Sequence, residues 1–457
     1  MNIVVLNGSP KGNCSVTIQT VNFLKAHYPD DNFNILNIGQ QIRKFQGEEQ
    51  FNNCMNLLID CEMILMAYPV YTFIAPYQMH RFIEQIKQSE RVEELKGKFI
   101  TQITTSKHFY DVTAHNYIED NAYDLELKVI KGLSSDMDDL LTTKGQDSVI
   151  KYWDYVRFSV ANDIYNSKEK NNVINNYLYQ STKLDSIMKT TNDTVIITNC
   201  SEDDIGLKNM INDFIAVYPY YVRILNINDF KFDGGCLGCF TCAFDGKCVY
   251  KDGFEDYLRN HIQSAKAMIF AATIKDHSMG ASFKIYDDRQ FCNGHRTVTM
   301  GMPVGYILSG NYSLEDNLRT IIEGRASVGH NYLAGIASNE SQDDKTTFMS
   351  LNNLAKNMKY AIDNKMILPQ NFLGIGGMKI FRDLIYVMQG MMQADHKFYK
   401  KHNFYDFPQK KRAMKWKMKL IGFLMSKPSI KKKIKGKLNN IIIKPYQKAI
   451  EKSLINK

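Results

Sequence analysis

Short apolar runs alternate with longer amphipathic stretches along the chain, and this order occurs twice. Predicted strands of the first half cover residues 2–7, 33–38, 62–67, 99–105 and 125–133. The pattern then starts again, with predicted strands over residues 194–199, 221–226, 267–272, 304–309 and 332–338. Apolar strands separated by helical stretches are typical of parallel sheets that helices cover on both faces. The pattern therefore predicts an α/β protein with two tandem, doubly wound, five-stranded parallel sheets.

The same pattern suggests four segments in this chain of 457 residues. We expect a first α/β domain over residues 1–165, a polar linker over 166–192, a second α/β domain over 193–366 and a basic, mostly helical extension over 367–457. In the extension, the glycines of residues 374–377 are expected to precede a helix over 379–389. A chain of this length can bury two sizeable cores.

No segment has the roughly eighteen consecutive apolar residues of a membrane-spanning helix, and the first residues do not resemble a signal peptide. The expected location is therefore the cytoplasm, where the nine cysteines would be reduced.

The net charge of +9 is unevenly distributed. From Lys401 onward there are seventeen Lys or Arg residues and two acids, which is +15, so the preceding 400 residues carry −6. The basic tail contains interleaved apolar residues and could lie on an anionic membrane surface at the periphery of the cell membrane. A solvated helix packed on the second domain is the simpler alternative. Nucleic acid is not expected as a partner, because the body is acidic and no nucleic-acid-reading motif is present.

The first strand runs into a glycine- and hydroxyl-rich loop, residues 8–17, which we call the phosphate loop. A strand, such a loop and a helix N-terminus together form an anion site, and this loop suits the phosphate of FMN. An ordinary strand–helix turn is the alternative. The candidate FMN-binding residues here are Gly8, Ser9, Lys11, Asn13, Ser15 and Thr17.

Two more strand ends carry candidate site residues, since ligands bind beyond the carboxyl ends of strands in doubly wound sheets. The third strand leads into residues 68–76, the ring loop, whose candidate contacts to an isoalloxazine ring are Pro69, Val70, Tyr71 and Thr72. The fourth strand leads to His108, Tyr110 and His115, which are candidate catalytic proton donors or substrate contacts. Structural packing is the alternative for each of these side chains.

Four cysteines lie within thirteen residues of the second half: Cys236, Cys239, Cys242 and Cys248. The first three have the C-x2-C-x2-C spacing of bacterial ferredoxins, and the run is more compact than paired zinc-binding motifs. This cysteine run predicts a metal site, with a [4Fe–4S] cluster favoured. Structural thiols or a disulfide are the alternatives.

The two halves differ at the sites. The first strand of the second half ends in Glu202, Asp203 and Asp204, which would repel a phosphate. The first half has no cysteine run. We therefore predict one FMN per chain, held by the first domain, and a pairing of the domains that brings the cluster towards it.

These motifs resemble those of the NADPH-dependent FMN reductase and iron–sulfur flavoprotein families. The phosphate loop, the ring loop, the cysteine run with the following Lys251-Asp252, and the stretch from Ser282 to Arg289 carry the resemblance, over about residues 1–160 and 194–340. It implies a flavodoxin-like fold, an FMN on the first two loops and a cluster on the four cysteines. Such proteins pass electrons from NAD(P)H or a ferredoxin through FMN to a small-molecule or protein acceptor.

The sequence thus predicts a flavin oxidoreductase of the FMN reductase type. The alternative is a non-catalytic electron carrier or cluster-bearing interaction protein, docked by its basic tail. No motif specific for the nicotinamide is visible, so NAD(P)H follows from the resemblance alone.

Overall fold

A computed structural model describes residues 1–168, 177–182, 188–429 and 438–455. Residues 1–399 form one compact unit, and residues 400–457 form another. Much of the expected linker, residues 169–176 and 183–187, lies outside the described residues. The boundaries of the four expected segments stay predictions.

The first copy contains one parallel sheet with helices on both faces. Its strands are β1 (Asn2–Asn7), β2 (Asn32–Leu36), β3 (Met63–Pro69), β4 (Phe99–Ser106), β5 (Lys128–Val129) and β6 (Leu133–Asp136). Its helices are α1 (Val16–His27), α2 (Ile38–Phe45), α3 (Glu48–Asp60), α4 (Tyr77–Lys87), α5 (Asp111–Asp124) and α6 (Thr143–Ala161). The strand order is β2-β1-β3-β4-β5, and β6 also pairs with β4. The single fifth strand expected over 125–133 is therefore two short strands that share one position beside β4.

The second copy repeats this plan. Its strands are β7 (Thr190–Thr198), β8 (Tyr220–Asn226), β9 (Ala267–Thr273), β10 (Pro303–Ser309) and β11 (Tyr332–Ser338). Its helices are α7 (Ile205–Val217), α8 (Thr241–Asp245), α9 (Phe254–Tyr257), α10 (Gly280–Arg289), α11 (Asp316–Val328) and α12 (Asp344–Asp363). The order β8-β7-β9-β10-β11 is again that of a flavodoxin-like sheet. The predicted fold class and duplication are confirmed.

The central strands are apolar without alternation because helices cover both of their faces. β3 is buried from Met63 to Tyr68, and β9 from Ala267 to Ala272. This double burial places the strand ends, rather than the strand faces, in contact with solvent. The loops at the carboxyl ends are therefore the parts of each sheet that can meet a ligand.

The helices after the second sheet are α13 (Phe372–Val387), α14 (Gln393–Lys401), α15 (Arg412–Met425) and α16 (Leu438–Ile455). The glycines expected to precede a helix lie inside α13, since Asn371 caps the helix by accepting a hydrogen bond from the Gly374 amide at 3.2 Å. At Gly374 a β-carbon would lie 2.2 Å from the Ser327 hydroxyl oxygen, so the glycine permits α13 to pack closely on α11. Among the described residues, no helix has the length and apolar character needed to cross a bilayer.

Candidate cofactor site between the two copies

A pocket lies beyond the carboxyl ends of β1, β3 and β4, where the two copies meet. The first copy contributes the phosphate loop and the ring loop. The second copy contributes the cysteine run. The sequence-predicted residues that line this pocket are Ser9, Lys11, Ser15, Thr17, Pro69, Val70, Tyr71, Thr72, Cys236, Cys239, Cys242 and Cys248. Two candidate sites from separate halves of the chain therefore face one cavity.

The phosphate loop is braced by Asn7 at the end of β1. The Asn7 amide donates to the Gly12 carbonyl at 3.1 Å, and its oxygen accepts from the Ser9 amide at 3.1 Å. Ser15 precedes α1 and makes no side-chain hydrogen bond to the helix end. The positive end of the helix dipole and the Ser15 hydroxyl are thus available to an anion, which fits the phosphate of FMN. Gly8 and Asn13 shape this loop outside the pocket lining.

The ring loop has an unusual backbone conformation. Tyr71 and Ile74 exchange two backbone hydrogen bonds of 2.9 and 3.1 Å, and Thr72 and Phe73 between them have φ values of +46° and +72°. A positive φ at a β-branched threonine is strained and persists only where the surroundings hold it. Burial, aided by the nearby Cys236 and Asp288, raises the pKa of Tyr71 well above its ordinary value. Its hydroxyl therefore remains a hydrogen-bond donor in the physiological pH range.

The end of β4 brings an additional polar atom to the pocket. Thr105 lines the cavity, is 7% exposed, and its buried hydroxyl has no hydrogen-bond partner among the described residues. Such a group costs free energy unless a ligand or a water molecule satisfies it. A polar ligand edge at this position fits the site.

The cysteine run occupies the opposite wall. The Gly238 amide donates to the Cys236 sulfur at 3.4 Å, and Glu255 accepts from the Cys248 amide at 2.8 Å. Burial raises the pKa of Cys242 to about 11 and that of Cys236 further. Bound iron would instead lower the pKa values of these thiols, because a coordinating thiol is deprotonated.

The sulfurs do not form a site for a single ion. Within the described ranges, no three His, Cys, Asp or Glu side chains converge closely enough to hold one metal ion. All four cysteines nevertheless line one cavity wall. A [4Fe–4S] cluster takes four cysteine thiolates, and the four cysteines on this wall supply that number.

Two arginines hold the backbone of the cysteine run and of the residues just before it. Arg296 donates to the Cys242 carbonyl at 3.2 Å and pairs with the buried Asp395 of α14 at 3.3 Å. Arg289 donates to the Gly234 carbonyl at 2.9 Å. From the first copy, the Lys11 ammonium lies 5.7 Å from the centre of the Phe240 ring. The run is therefore fixed from both copies.

The equivalent loop of the second copy is closed by its own carboxylate. Asp204 accepts hydrogen bonds of 2.9 Å from the amide and from the hydroxyl of Ser201, and one of 3.3 Å from Thr273. Although burial raises the pKa of Asp204, these hydrogen bonds and Lys275 lower it overall. A charged carboxylate thus occupies the donors that a phosphate would need.

The three candidate catalytic residues do not line the pocket. His108 bonds Asp111 at 2.7 Å, and Tyr110 donates to the Leu373 carbonyl at 3.1 Å. His115 bonds Thr104 at 2.8 Å, and burial lowers its pKa to about 4. Each has a structural partner, and a catalytic role for them stays a prediction.

Sequence reasoning missed several lining residues. They are Thr105, Met137, Asp288, Arg289, Phe291, Cys292, His295, Ile380, Phe381 and Leu384. Cys292 follows α10 and has no motif around it, so its position near the cysteine run could not be found from spacing. For the residues of α13, the sequence indicates only that the helix has an apolar face. It does not indicate which part of the protein this face covers.

The chain is similar to an iron-sulfur flavoprotein of Archaeoglobus fulgidus, with 23% identity over 206 residues, which is 44% of this chain and 90% of that protein. This confirms the resemblance that the motifs indicated. No protein-family model matches the chain.

Similar solved structures cover about a third of the chain each. An NADPH-quinone reductase from P. pentosaceus has 15% identity, covers 34% of this chain and 97% of its own, and has a TM-score of 0.27. An NADH:FMN oxidoreductase in its apo form has 16% identity, coverages of 37% and 91%, and a TM-score of 0.31. General stress protein 14 from Treponema denticola, in complex with FMN, has 11% identity, coverages of 34% and 98%, and a TM-score of 0.28.

Proposed function

We propose that this chain is a flavin- and iron–sulfur-dependent oxidoreductase. It would take electrons from NAD(P)H or a reduced carrier, and pass them through FMN and a [4Fe–4S] cluster to an acceptor. The observation that carries the proposal is the shared pocket, with the phosphate and ring loops on one side and four cysteines on the other. The similarity to an iron-sulfur flavoprotein supports it.

The first copy would hold FMN. Ser9, Ser15 and Thr17 would donate to the phosphate at the N-terminus of α1, with Lys11 nearby. Pro69 to Thr72 would contact the ring, and the unsatisfied Thr105 hydroxyl offers it a further hydrogen bond. FMN when bound supplies the exchange between hydride transfer and single-electron transfer.

The second copy would hold the cluster on Cys236, Cys239, Cys242 and Cys248. These side chains and the ring loop line one cavity, so this pocket would bring the cluster and the flavin ring together. The apolar wall of Phe291, Ile380 and Phe381 would limit access of water to this region.

The deciding experiment combines composition and turnover on the full chain purified without oxygen. We expect one FMN and about four irons per chain, and oxidation of NADH or NADPH with quinone or flavin acceptors. Both cofactors without turnover would favour the alternative of an electron carrier. Absence of flavin would contradict the proposal.

We also propose that the unit of residues 400–457 contacts an anionic membrane surface. In α15, Trp416 and Phe423 are 72% and 64% exposed, and Lys415, Lys417 and Lys419 are exposed on the same short helix. Aromatic and basic side chains together suit the boundary of an anionic bilayer.

A further inference from the structure

The C-terminal end of α10 lies between the two halves of the pocket. α10 follows the third strand of the second copy, as α4 follows the third strand of the first, and the two helices pack against each other. Glu84 of α4 accepts a hydrogen bond of 2.7 Å from the Ala281 amide at the start of α10. Four charged side chains at the other end, Lys284, Asp287, Asp288 and Arg289, are all buried.

Asp288 reaches across to the ring loop of the first copy. Its Oδ2 accepts from the Tyr77 amide at 2.8 Å, and its Oδ1 accepts from the Thr72 hydroxyl at 3.2 Å. Lys284, which pairs with Asp288 at 2.6 Å, donates to the Tyr71 carbonyl at 2.8 Å. The second copy therefore holds the ring loop at Tyr71 and Thr72, and the first residue of α4, Tyr77, just after the loop.

These contacts fall on the strained part of the loop. Thr72, with its φ of +46°, is the residue whose hydroxyl Asp288 accepts. A β-branched residue is rarely stable in this conformation alone, and the hydrogen bond from Thr72 to Asp288 and that from Lys284 to the Tyr71 carbonyl contribute to holding it.

The next residue reaches the cysteine run. Both terminal nitrogens of the Arg289 guanidinium pair with the Asp252 carboxylate, at 2.7 and 2.8 Å, and one also donates to the Gly234 carbonyl at 2.9 Å. The guanidinium lies 4.1 Å from the centre of the Tyr250 ring. Gly234 precedes the run and Tyr250 and Asp252 follow it, so Arg289 joins its two ends.

We propose that Asp288 and Arg289 are positioning residues, which hold the ring loop of the first copy and the cysteine run of the second at a fixed separation. Asp288, with Lys284, would hold the ring loop in its binding conformation, and Arg289 would hold the cysteine backbone. The expected effect on FMN binding rests on the proposed function. The role of Asp288 and Lys284 in stabilising the ring loop rests only on the contacts described above.

The test replaces Asp288 with Asn. Both Asp288 carboxylate oxygens accept hydrogen bonds. The asparagine of Asp288→Asn has nearly the same size, but its NH2 group would face one of these donors and could not accept its hydrogen bond. Asp213→Asn is the matched control. Asp213 is 2% exposed and likewise accepts from a backbone amide (Thr182, 2.9 Å) and a hydroxyl (Tyr179, 2.6 Å), but it does not line the pocket.

Hydrogen exchange on the flavin-free full chain gives the first readout. In Asp288→Asn we expect amides of residues 70–77 to exchange at least tenfold faster, while Asp213→Asn leaves them within twofold of the wild type. Arg289→Lys should accelerate exchange in residues 233–252 instead. Equal exchange of residues 70–77 in the Asp288 and Asp213 variants would overturn the proposal.

Added FMN gives the second readout. We expect Asp288→Asn to weaken FMN binding at least tenfold and to alter the visible circular dichroism of the bound flavin, and Asp213→Asn to change neither. An unaltered affinity and spectrum would overturn the positioning role. If the wild type itself binds no FMN, the proposed function fails, and the exchange experiment still decides whether Asp288 holds the loop.

Discussion

At the scale of single residues, His277 shows how charge joins the two copies. Its Nδ1 lies 2.9 Å from Glu315 of the second copy, and its Nε2 lies 3.0 Å from Asp124 of the first. Burial alone would lower its pKa, but hydrogen bonds and the charges of the two carboxylates raise it to about 9. The imidazole is therefore charged at neutral pH and bridges two acids.

His277→Gln should destabilise the chain in a pH-dependent way. A folded-state pKa above the ordinary 6.5 means that the charged form stabilises the fold fully below about pH 6.5, and that this contribution is lost as the pH rises through about 9. At pH 6 we expect a loss of about 2 kcal/mol in unfolding free energy, measured by urea denaturation, and a much smaller loss at pH 10. His108→Gln, at an exposed ion pair within one copy, is the control and should have little effect. An equal loss at pH 6 and pH 10 would contradict the assignment.

Ser15→Asp should abolish most FMN binding. The new carboxylate would lie at the N-terminus of α1, in the place proposed for the phosphate, where two like charges repel. Flavin bound per chain, measured by absorbance after gel filtration, is the readout.

The counterpart of this test is the combined neutralisation of Glu202, Asp203 and Asp204, which should leave the flavin content at one per chain. Two flavins per chain in the wild type would show that the second copy also binds FMN.

At the scale of elements, the cysteine run acts as a unit. It contains the short helix α8 between Phe240, with a φ of +63°, and Gly246, with a φ of +77°. These two left-handed residues reverse the chain on either side of Cys242, so that cysteines close in sequence can face one cavity.

Cys242→Ala should therefore remove the iron–sulfur cluster while FMN stays bound. We expect the iron content of anaerobically purified protein to fall to near zero, and the visible spectrum to become that of the bound flavin alone. Cys54→Ala, a buried cysteine of α3 away from the pocket, is the control and should retain about four irons. Stoichiometric zinc in the wild type would refute the cluster.

At the scale of the whole molecule, the charge is divided between a mildly acidic body and a strongly basic tail. The compact unit that contains the pocket ends at Tyr399, before the basic residues of the tail begin. Removal of the tail should therefore leave the cofactor site intact.

Deletion of residues 410–457 should abolish co-sedimentation with anionic vesicles without loss of flavin or iron. Binding of the full chain should be released by salt, because attraction of about 1 kcal/mol per basic residue is screened within a Debye length. Equal binding to neutral vesicles would contradict an electrostatic attachment.

The sequence by itself determined what is local. Strands buried on both faces must be continuously apolar, so the central strands of both sheets could be predicted. The phosphate loop, the ring loop and the cysteine run each span thirteen residues at most, so their spacing indicates their chemistry. Even so, the pattern predicted one fifth strand where the chain forms β5 and β6, because a short edge segment has too few residues for its periodicity to decide.

Only the tertiary structure decided how these local sites meet. Thr72 and Asp288 lie 216 residues apart in the chain, and their contact depends on the packing of α4 on α10. The apolar periodicity of a helix shows which face is buried, but it contains no information about the partner or the crossing angle. For that reason the shared pocket, the proximity of Cys292 and the positions of Asp288 and Arg289 could not be predicted from the sequence.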